Sequence, residues 1–307
     1  RPFHRRFEVA HNVHVTFRHS GHILGAATVE LDANDRRIVF SGDLGPFNSA
    51  TMPDPEPIAE TDVLVIESTY GGRQHDPRDP EEELADVIVS TALQGGTILI
   101  PAFAVGRAQT LLFHIARLKR AHRIPDLPVF LDSPMAINAS EVYCRNLSDH
   151  RLSESQCRIA CDVAQYTRTA EESRALNSVD GAKIIISASG LASAGRVLPP
   201  PERYLPAPPS TILFAGFQAQ GTRGAAILQG AEQIKIHGEF HHVRATAKNL
   251  SMLSAHADQN DLLRWLSNFR APPRRIFIVH GEPDAVEALQ TAIKENLGWE
   301  SEIPDQF

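Results

Sequence analysis

Short apolar runs bounded by turn-forming residues recur along the whole sequence, and helical spacing of apolar residues falls between many of them. Such runs predict buried strands. They occur at His14–Phe17, Arg37–Phe40, Val63–Ile66, Thr97–Ile100, Val129–Leu131, Lys183–Ser187, Thr211–Ala215, Gln233–Ile236 and Arg275–Val279. The helical spacing predicts helices over Pro80–Gln94, Gly106–Ala121, Asp258–Phe269 and Asp284–Asn296. Strands that alternate with helices indicate a layered α/β architecture.

The clearest helix signals surround Pro80–Gln94. Asp79 is placed to cap the helix, Pro80 suits its first position, and Glu82 can complete a capping box. Gly95 follows the last apolar position and predicts the helix end.

Composition narrows the class of protein. The 307 residues are 42% hydrophobic, with 30 basic and 37 acidic side chains and a net charge of −7. This apolar content excludes a disordered chain, and no apolar run approaches the roughly 18–20 residues of a membrane span. Three cysteines are too few for a disulfide framework, which favours a reducing, cytoplasmic location. The net negative charge argues against a protein that coats nucleic acid through its overall charge. It is compatible with a local nucleic-acid-binding site.

Polar, ligand-type side chains stand at the ends of several predicted strands. Asp43, Glu67 and His280 each follow an apolar run, His22 lies between two glycines, and His256 precedes a predicted helix. Ligand sites in α/β sheets lie beyond the carboxyl ends of strands, so we expect these side chains to converge. Imidazole and carboxylate together suit zinc. Taken singly, each residue is more simply a turn former or a hydrogen-bonding side chain.

The order of these segments resembles the β-CASP branch of the metallo-β-lactamase fold, a group of RNA-processing nucleases. The likeness covers nearly the whole chain and rests on six motifs: Gly-His-Ile-Leu-Gly, Phe-Ser-Gly-Asp-Leu-Gly, Glu-Ser-Thr-Tyr-Gly, Pro-Ala-Phe-Ala-Val-Gly-Arg-Ala-Gln, Ser-Ala-His-Ala-Asp and Val-His-Gly-Glu. The resemblance implies an α/β metallo-β-lactamase αββα sandwich, incomplete at its N-terminal side, over residues 1–72 and 248–307. A β-CASP α/β domain would be inserted over residues 73–247, with the active site in the cleft between the two.

The resemblance also implies roles for the five polar residues. His22, Asp43 and His280 would bind metal, with Asp43 bridging two zinc ions. His256 would protonate the leaving group, and Glu67 would orient it. Two metal ions lower the pKa of a bound water, and the hydroxide that forms is a suitable nucleophile for phosphodiester hydrolysis.

Further candidates surround this set. Asp258 and Glu282 are expected to support the metal ligands, or else simply to cap helices. Candidates for binding substrate phosphates, each weighed against a structural ion pair, are Arg107, Ser189, Gly190 and Arg196. Three of the 14 histidines, His11, His14 and His19, are expected on a solvated strand without a metal role.

One family motif is absent. The branch builds its metal site chiefly from a His-x-His-x-Asp-His segment, and no such segment occurs in this sequence, which starts at Arg1. Three ligands alone do not hold a dinuclear centre. Either this chain is part of a longer protein or it is a remnant without catalytic activity. We expect the chain alone to bind little zinc and to have negligible nuclease activity.

The functional hypothesis is therefore a zinc-dependent ribonuclease acting on single-stranded RNA in its full-length form. Its expected partners are RNA, a possible second copy of the chain and the missing N-terminal segment of the same protein, with no membrane partner. Two alternatives remain open at this point. One is a catalytically silent RNA-binding or scaffold member of the branch, and the other is a hydrolase of DNA or of a small ester.

Overall fold

The computed structural model describes residues 1–188, 203–236 and 238–305. These form two compact units. The first comprises Arg1–His75, Asp149–Arg151 and Ala255–Phe307, and the second comprises Asp76–Ser148 and Leu152–Ser254. The chain thus leaves the first unit and returns to it after the second, so residues far apart in sequence share one core.

A six-stranded mixed sheet forms the first unit. Its strands, in chain order, are β1 (Phe7–Ala10), β2 (Val13–His19), β3 (Ala27–Ala33), β4 (Arg36–Phe40), β5 (Val63–Glu67) and β14 (Arg275–Val279). The spatial order is β1-β2-β3-β4-β5-β14. Strands β1 to β4 pair antiparallel, whereas β4, β5 and β14 run parallel. The carboxyl ends of these three parallel strands therefore lie at the same edge of the sheet.

Two helices of the first unit, α7 (Gln259–Leu266) and α8 (Pro283–Leu297), share its hydrophobic core with the sheet. Leu64 and Ile66 alternate along β5 and are fully buried, as is Trp265 of α7. The indole Nε1 of Trp265 donates a hydrogen bond to the carbonyl oxygen of Glu56 at 2.8 Å. This bond fixes the Pro-rich loop before β5 to the core.

The second unit contains a parallel sheet. Its strands are β6 (Thr97–Ala102), β7 (Val129–Asp132), β8 (Gln165–Thr167), β9 (Lys183–Ala188), β10 (Thr211–Phe214) and β13 (Thr246–Asn249), in the spatial order β13-β10-β6-β9-β7-β8. A separate antiparallel hairpin joins β11 (Gln233–Ile236) to β12 (Glu239–His242). All six residues of β6 are buried, as expected for a central parallel strand.

Six helices alternate with the strands of this sheet along the described part of the chain. They are α1 (Pro80–Leu93), α2 (Arg107–Arg120), α3 (Pro134–Arg145), α4 (Glu154–Asp162), α5 (Ala170–Ala175) and α6 (Arg223–Leu228). At the start of α1 the Asp79 carboxylate accepts a hydrogen bond from the backbone N–H of Glu81 at 2.7 Å, so the predicted pairing with Glu82 is not the cap that forms. Gly95 adopts the left-handed conformation after the helix, with φ of 69°. The predicted helix end is therefore confirmed.

The apolar pattern predicted the elements with continuous or regularly spaced apolar residues and missed several others, among them β3 and α3. Each of the nine predicted strands overlaps an observed strand, and each of the four predicted helices overlaps an observed helix. Strand β3 escaped prediction because Ala27–Ala33 alternates apolar and polar residues instead of forming a continuous apolar run. Helices α3 to α5 were missed because at most a third of their residues are buried, and α6 spans only six residues. In the described part of the chain, no helix has both the length and the apolar character that crossing a bilayer requires.

The Trp265 anchor yields a stability prediction. Replacing Trp265 with Phe leaves a void and removes the donor to Glu56, and we expect the free energy of unfolding to fall by about 1–3 kcal/mol. The matched control is Trp299→Phe, because Trp299 is only partly buried beside the same core. Urea unfolding followed by circular dichroism measures both variants. Equal losses from the two substitutions would contradict the anchoring role.

Candidate active site

Five polar side chains of the first unit meet at the edge where its parallel strands end. His22 lies in the turn between β2 and β3, and Asp43 lies after β4. Glu67 is the last residue of β5, His280 directly follows β14, and His256 precedes α7. The five residues therefore converge at one edge of the sheet, as the sequence predicted.

Asp43 lies between two histidines. Its Oδ2 is 3.7 Å from Nε2 of His22, and its Oδ1 is 3.3 Å from Nε2 of His280. The ligand atoms that His22, Asp43 and His256 offer all lie within 4.8 Å of one another. Two to three imidazoles around one carboxylate form a donor set that zinc accepts. These residues thus fit the metal that the family motif implies, although they supply only part of a dinuclear site.

The hydrogen bonds of His22 determine which of its nitrogens can bind a metal. Its Nδ1 donates to the carbonyl oxygen of Ala255 at 2.9 Å, which leaves the lone pair on Nε2 directed towards Asp43. Burial, together with the nearby charge of His256, lowers the pKa of His22 to about 4. The imidazole is therefore neutral at physiological pH, which is the form that coordinates a metal.

Glu67 is a buried carboxylate, only 2% exposed, and it holds His256 in place. The Nδ1 of His256 lies 3.2 and 3.3 Å from its two oxygens, and the backbone N–H groups of Leu44 and Thr69 also donate to it, at 2.6 and 3.2 Å. Burial works to raise the pKa of Glu67, but the hydrogen bond from His256 and its charge hold that pKa below its ordinary value. An ionised Glu67 fixes the proton of His256 on Nδ1.

Glycines allow the turns that carry these ligands to approach closely. A Cβ on Gly45 would lie 2.0 Å from the carbonyl oxygen of Gly21, next to His22. A Cβ on Gly281 would lie 2.3 Å from Oγ of Ser68, beside His280. Both glycines are required by packing, because any side chain there would push the neighbouring ligand-bearing turn away.

Asp258, a predicted supporting residue, contacts the loop that carries His256 through His75. Asp258 caps α7 by accepting from the N–H of Asp261 at 2.9 Å, and its second oxygen accepts from the N–H of His75 at 2.9 Å. His75 in turn donates from Nε2 to the carbonyl oxygen of His256 at 2.8 Å. Asp258 therefore supports the His256 loop through His75, a residue that the sequence analysis missed because its position after Gly71-Gly72 carries no ligand pattern.

Glu282 and Arg107 make contacts with other residues. Glu282 precedes α8, and its Oε2 is 3.9 Å from Nη2 of Arg73. Arg107 belongs to the second unit, where it is the first residue of α2, inside the predicted helix, and it is only 7% exposed. Its guanidinium lies beside Gly216, where a Cβ would be 3.2 Å from Nη2. The remaining candidates, Ser189, Gly190 and Arg196, fall outside the described residues.

The lowered pKa of His22 predicts how the stability of the metal-free chain depends on pH. The unfolded chain binds a proton at the ordinary value of 6.5, whereas the folded chain binds it only near pH 4. The contribution of His22 to the free energy of unfolding should therefore rise as pH increases from about 4 to 6.5 and stay constant above.

Urea denaturation in a chelator across this pH window measures that slope, and His22→Gln should flatten it. Nuclear magnetic resonance of the His22 ring in the metal-free chain gives the pKa directly. A titration of His22 near 6.5 would show that its burial does not exclude the charged form.

Comparison with known proteins agrees with the geometry. The model of the Beta-Casp domain matches residues 108–227, and that of the Zn-dependent metallo-hydrolase RNA specificity domain matches residues 236–304. A ribonuclease of Thermus thermophilus is 35% identical over 90% of this chain and 64% of its own length. Transcription termination factor FttA of Pyrococcus abyssi is 29% identical over 98% of this chain and 49% of its own length.

One solved structure, a protein of unknown function from Enterococcus faecalis V583, covers 99% of this chain and 65% of its own. The TM-score is 0.53 and the sequence identity 15%, which supports the fold alone. The chain spans between about half and two thirds of the length of these relatives. With both domains matched and the strand-end residues gathered at one edge, the chain belongs to the β-CASP branch of the metallo-β-lactamase fold.

Proposed function

We propose that the protein containing this chain is a zinc-dependent ribonuclease that hydrolyses phosphodiester bonds of single-stranded RNA. The observation that carries this proposal is the pair formed by Glu67 and His256 beside the metal-type ligands His22 and Asp43. A buried carboxylate that fixes one proton of an imidazole leaves the other nitrogen available for acid–base chemistry. The RNA-specificity domain and the ribonuclease relative support RNA as the substrate class.

Each residue has a defined task in this proposal. His22, Asp43 and His280 would hold zinc, which when bound would lower the pKa of a water molecule and offset phosphate charge. The attacking water releases one proton to solvent and adds to phosphorus as hydroxide while the bond from phosphorus to the departing oxygen breaks. His256 delivers its Nε2 proton to that oxygen, and Glu67 stabilises the imidazolium beforehand and keeps Nδ1 protonated. Asp258 and His75 hold the loop that carries His256.

The domain assignment is part of the proposal. Residues 1–72 and 248–307 would form the metallo-β-lactamase portion, and residues 73–247 the β-CASP insertion. Arg107, Ser189, Gly190 and Arg196 would contact substrate phosphates, and Glu282 would support the neighbouring ligand His280.

A second candidate function is a catalytically silent RNA-binding member of the same branch. The observation in its favour is that the metal-type ligands gathered at this edge, His22, Asp43 and His280, form only part of a dinuclear site. Hydrolysis of DNA or a small ester by the same site is the third. Cleavage assays on matched single-stranded RNA and DNA, together with hydrolysis of a small chromogenic ester, distinguish all three, because the silent protein cleaves none of these substrates.

Substitution of His256 tests the proposed catalytic role. In the full-length protein, His256→Ala should lower the rate of RNA cleavage by about 10²- to 10⁴-fold, because the departing oxygen loses its proton donor. Zinc content should stay near normal, as measured by mass spectrometry of the purified protein. The matched control is His14→Ala, a half-buried histidine of β2 remote from Glu67 in sequence. Loss of zinc from the His256 variant would instead make His256 a metal ligand.

Residues 1–307 by themselves should have negligible nuclease activity. His22, Asp43 and His280 supply too few ligands for two ions, so we expect this site to hold few or no zinc ions in the isolated chain. Cleavage of labelled single-stranded RNA at several zinc concentrations measures the activity. Turnover by the isolated chain, abolished by His22→Ala, would contradict the expectation.

A further inference from the structure

A second group of metal-type side chains lies in the first unit, away from the five residues described above. His4, His19 and Glu56 offer ligand atoms that all lie within 4.8 Å of one another. His4 precedes β1, His19 ends β2, and Glu56 belongs to the Pro-rich loop before β5. Three segments of the chain thus converge on one point with two imidazoles and a carboxylate.

Glu56 is the fixed member of the group. Its backbone N–H donates to the carbonyl oxygen of His19 at 2.9 Å, and its own carbonyl oxygen accepts from the indole of Trp265 at 2.8 Å. Its side chain is half-buried, and Oε1 also accepts from the backbone N–H of His19 at 3.2 Å. The carboxylate is therefore positioned by the core.

The two imidazoles are oriented by separate contacts. The ring of His19 stacks on Phe3 with centroids 3.8 Å apart, which contradicts the expected solvated strand position. His4 is held by its backbone N–H, which donates to the carbonyl oxygen of Phe17 at 2.9 Å, and its φ of 62° is left-handed. A histidine in that region costs conformational energy that its surroundings must supply. Its Nε2 lies 2.6 Å from Oε1 of Glu56.

Charge at this cluster is compatible with a cation. Arg18 lies 3.9 Å from Oε2 of Glu56, on the carboxylate oxygen that His4 does not contact, and Arg18 is also paired with the buried Glu30. Oε1 accepts from the backbone N–H of His19 and also faces Nε2 of His4, so one of its lone pairs points to the imidazole side. Zinc ligand bonds are about 2.0–2.2 Å long, so shifts of about 1 Å in exposed side-chain atoms would close the group around one ion.

We propose that His4, His19 and Glu56 form a zinc-binding site distinct from the ligands at the strand ends. Two imidazoles and a carboxylate match the borderline character of zinc and leave a coordination position for water. The ion would tie the residues before β1 and the Pro-rich loop to the end of β2. That loop also packs on the turn of His22, because a Cβ on Gly21 would lie 2.6 Å from the carbonyl oxygen of Pro53. This inference does not depend on the proposed ribonuclease activity.

The test uses the full chain of residues 1–307 without a polyhistidine tag, carrying His22→Ala and His280→Ala. This background removes ligands of the other site, so failure of the ribonuclease proposal and failure of this one are distinguishable. Zinc binding is measured by isothermal titration calorimetry and stoichiometry by mass spectrometry after dialysis. We expect about one zinc ion per chain, and a melting temperature that rises with zinc because the ion binds only the folded form.

Adding His4→Ala, His19→Ala or Glu56→Gln to this background should weaken zinc binding by at least about tenfold and abolish the rise in melting temperature. The matched control is His11→Ala, which removes an exposed histidine of the same unit and should change neither quantity. Circular dichroism verifies that each variant folds. A background chain that binds no zinc, or binds it equally well with and without His4 and His19, would overturn the proposal.

Discussion

The contact between Glu67 and His256 is the interaction on which the site depends. A carboxylate buried at the end of β5 is costly unless donors surround it, and His256 with the N–H groups of Leu44 and Thr69 supplies them. These donors come from three separate segments of the chain. Satisfying one buried charge therefore fixes the turn after β4, the turn after β5 and the loop before α7 relative to one another.

The topology of the first unit makes this contact possible. Strands β4, β5 and β14 are parallel neighbours, so the residues after their carboxyl ends share one edge of the sheet. Asp43 and His280 reach the edge in this way. Their turns pack tightly because Gly45 and Gly281 have no side chain that would separate them from the neighbouring turns. Glu67 and His256 are 189 positions apart in sequence but adjacent in space, because the chain returns to the first unit at Ala255. The second unit is inserted in between.

Much of this arrangement could be predicted from the sequence, for physical reasons. Buried parallel strands are continuous apolar runs, so β5, β6, β9 and β14 were evident, and the polar residues Glu67 and His280 at the ends of β5 and β14 pointed to the site edge. The five central residues followed from motifs that encode close turns and ligands.

Features that depend on the fold as a whole could not be predicted in this way. His75 contributes through a backbone carbonyl, Arg107 is buried beside Gly216, far away in sequence, and His19 stacks on Phe3. No local spacing encodes such contacts. They arise when tertiary packing brings together residues whose types are each common in loops and on solvated strands.

The central claim is that Glu67 holds His256 so that its proton reaches the departing oxygen. Full-length wild-type protein and His256→Ala can be compared on RNA whose departing bridging oxygen is replaced by sulfur, since a thiolate leaves without protonation. We predict that the variant is strongly impaired on the oxygen substrate and nearly as fast as wild type on the sulfur substrate. An equal loss of rate on both substrates would contradict the assignment of His256 as the proton donor.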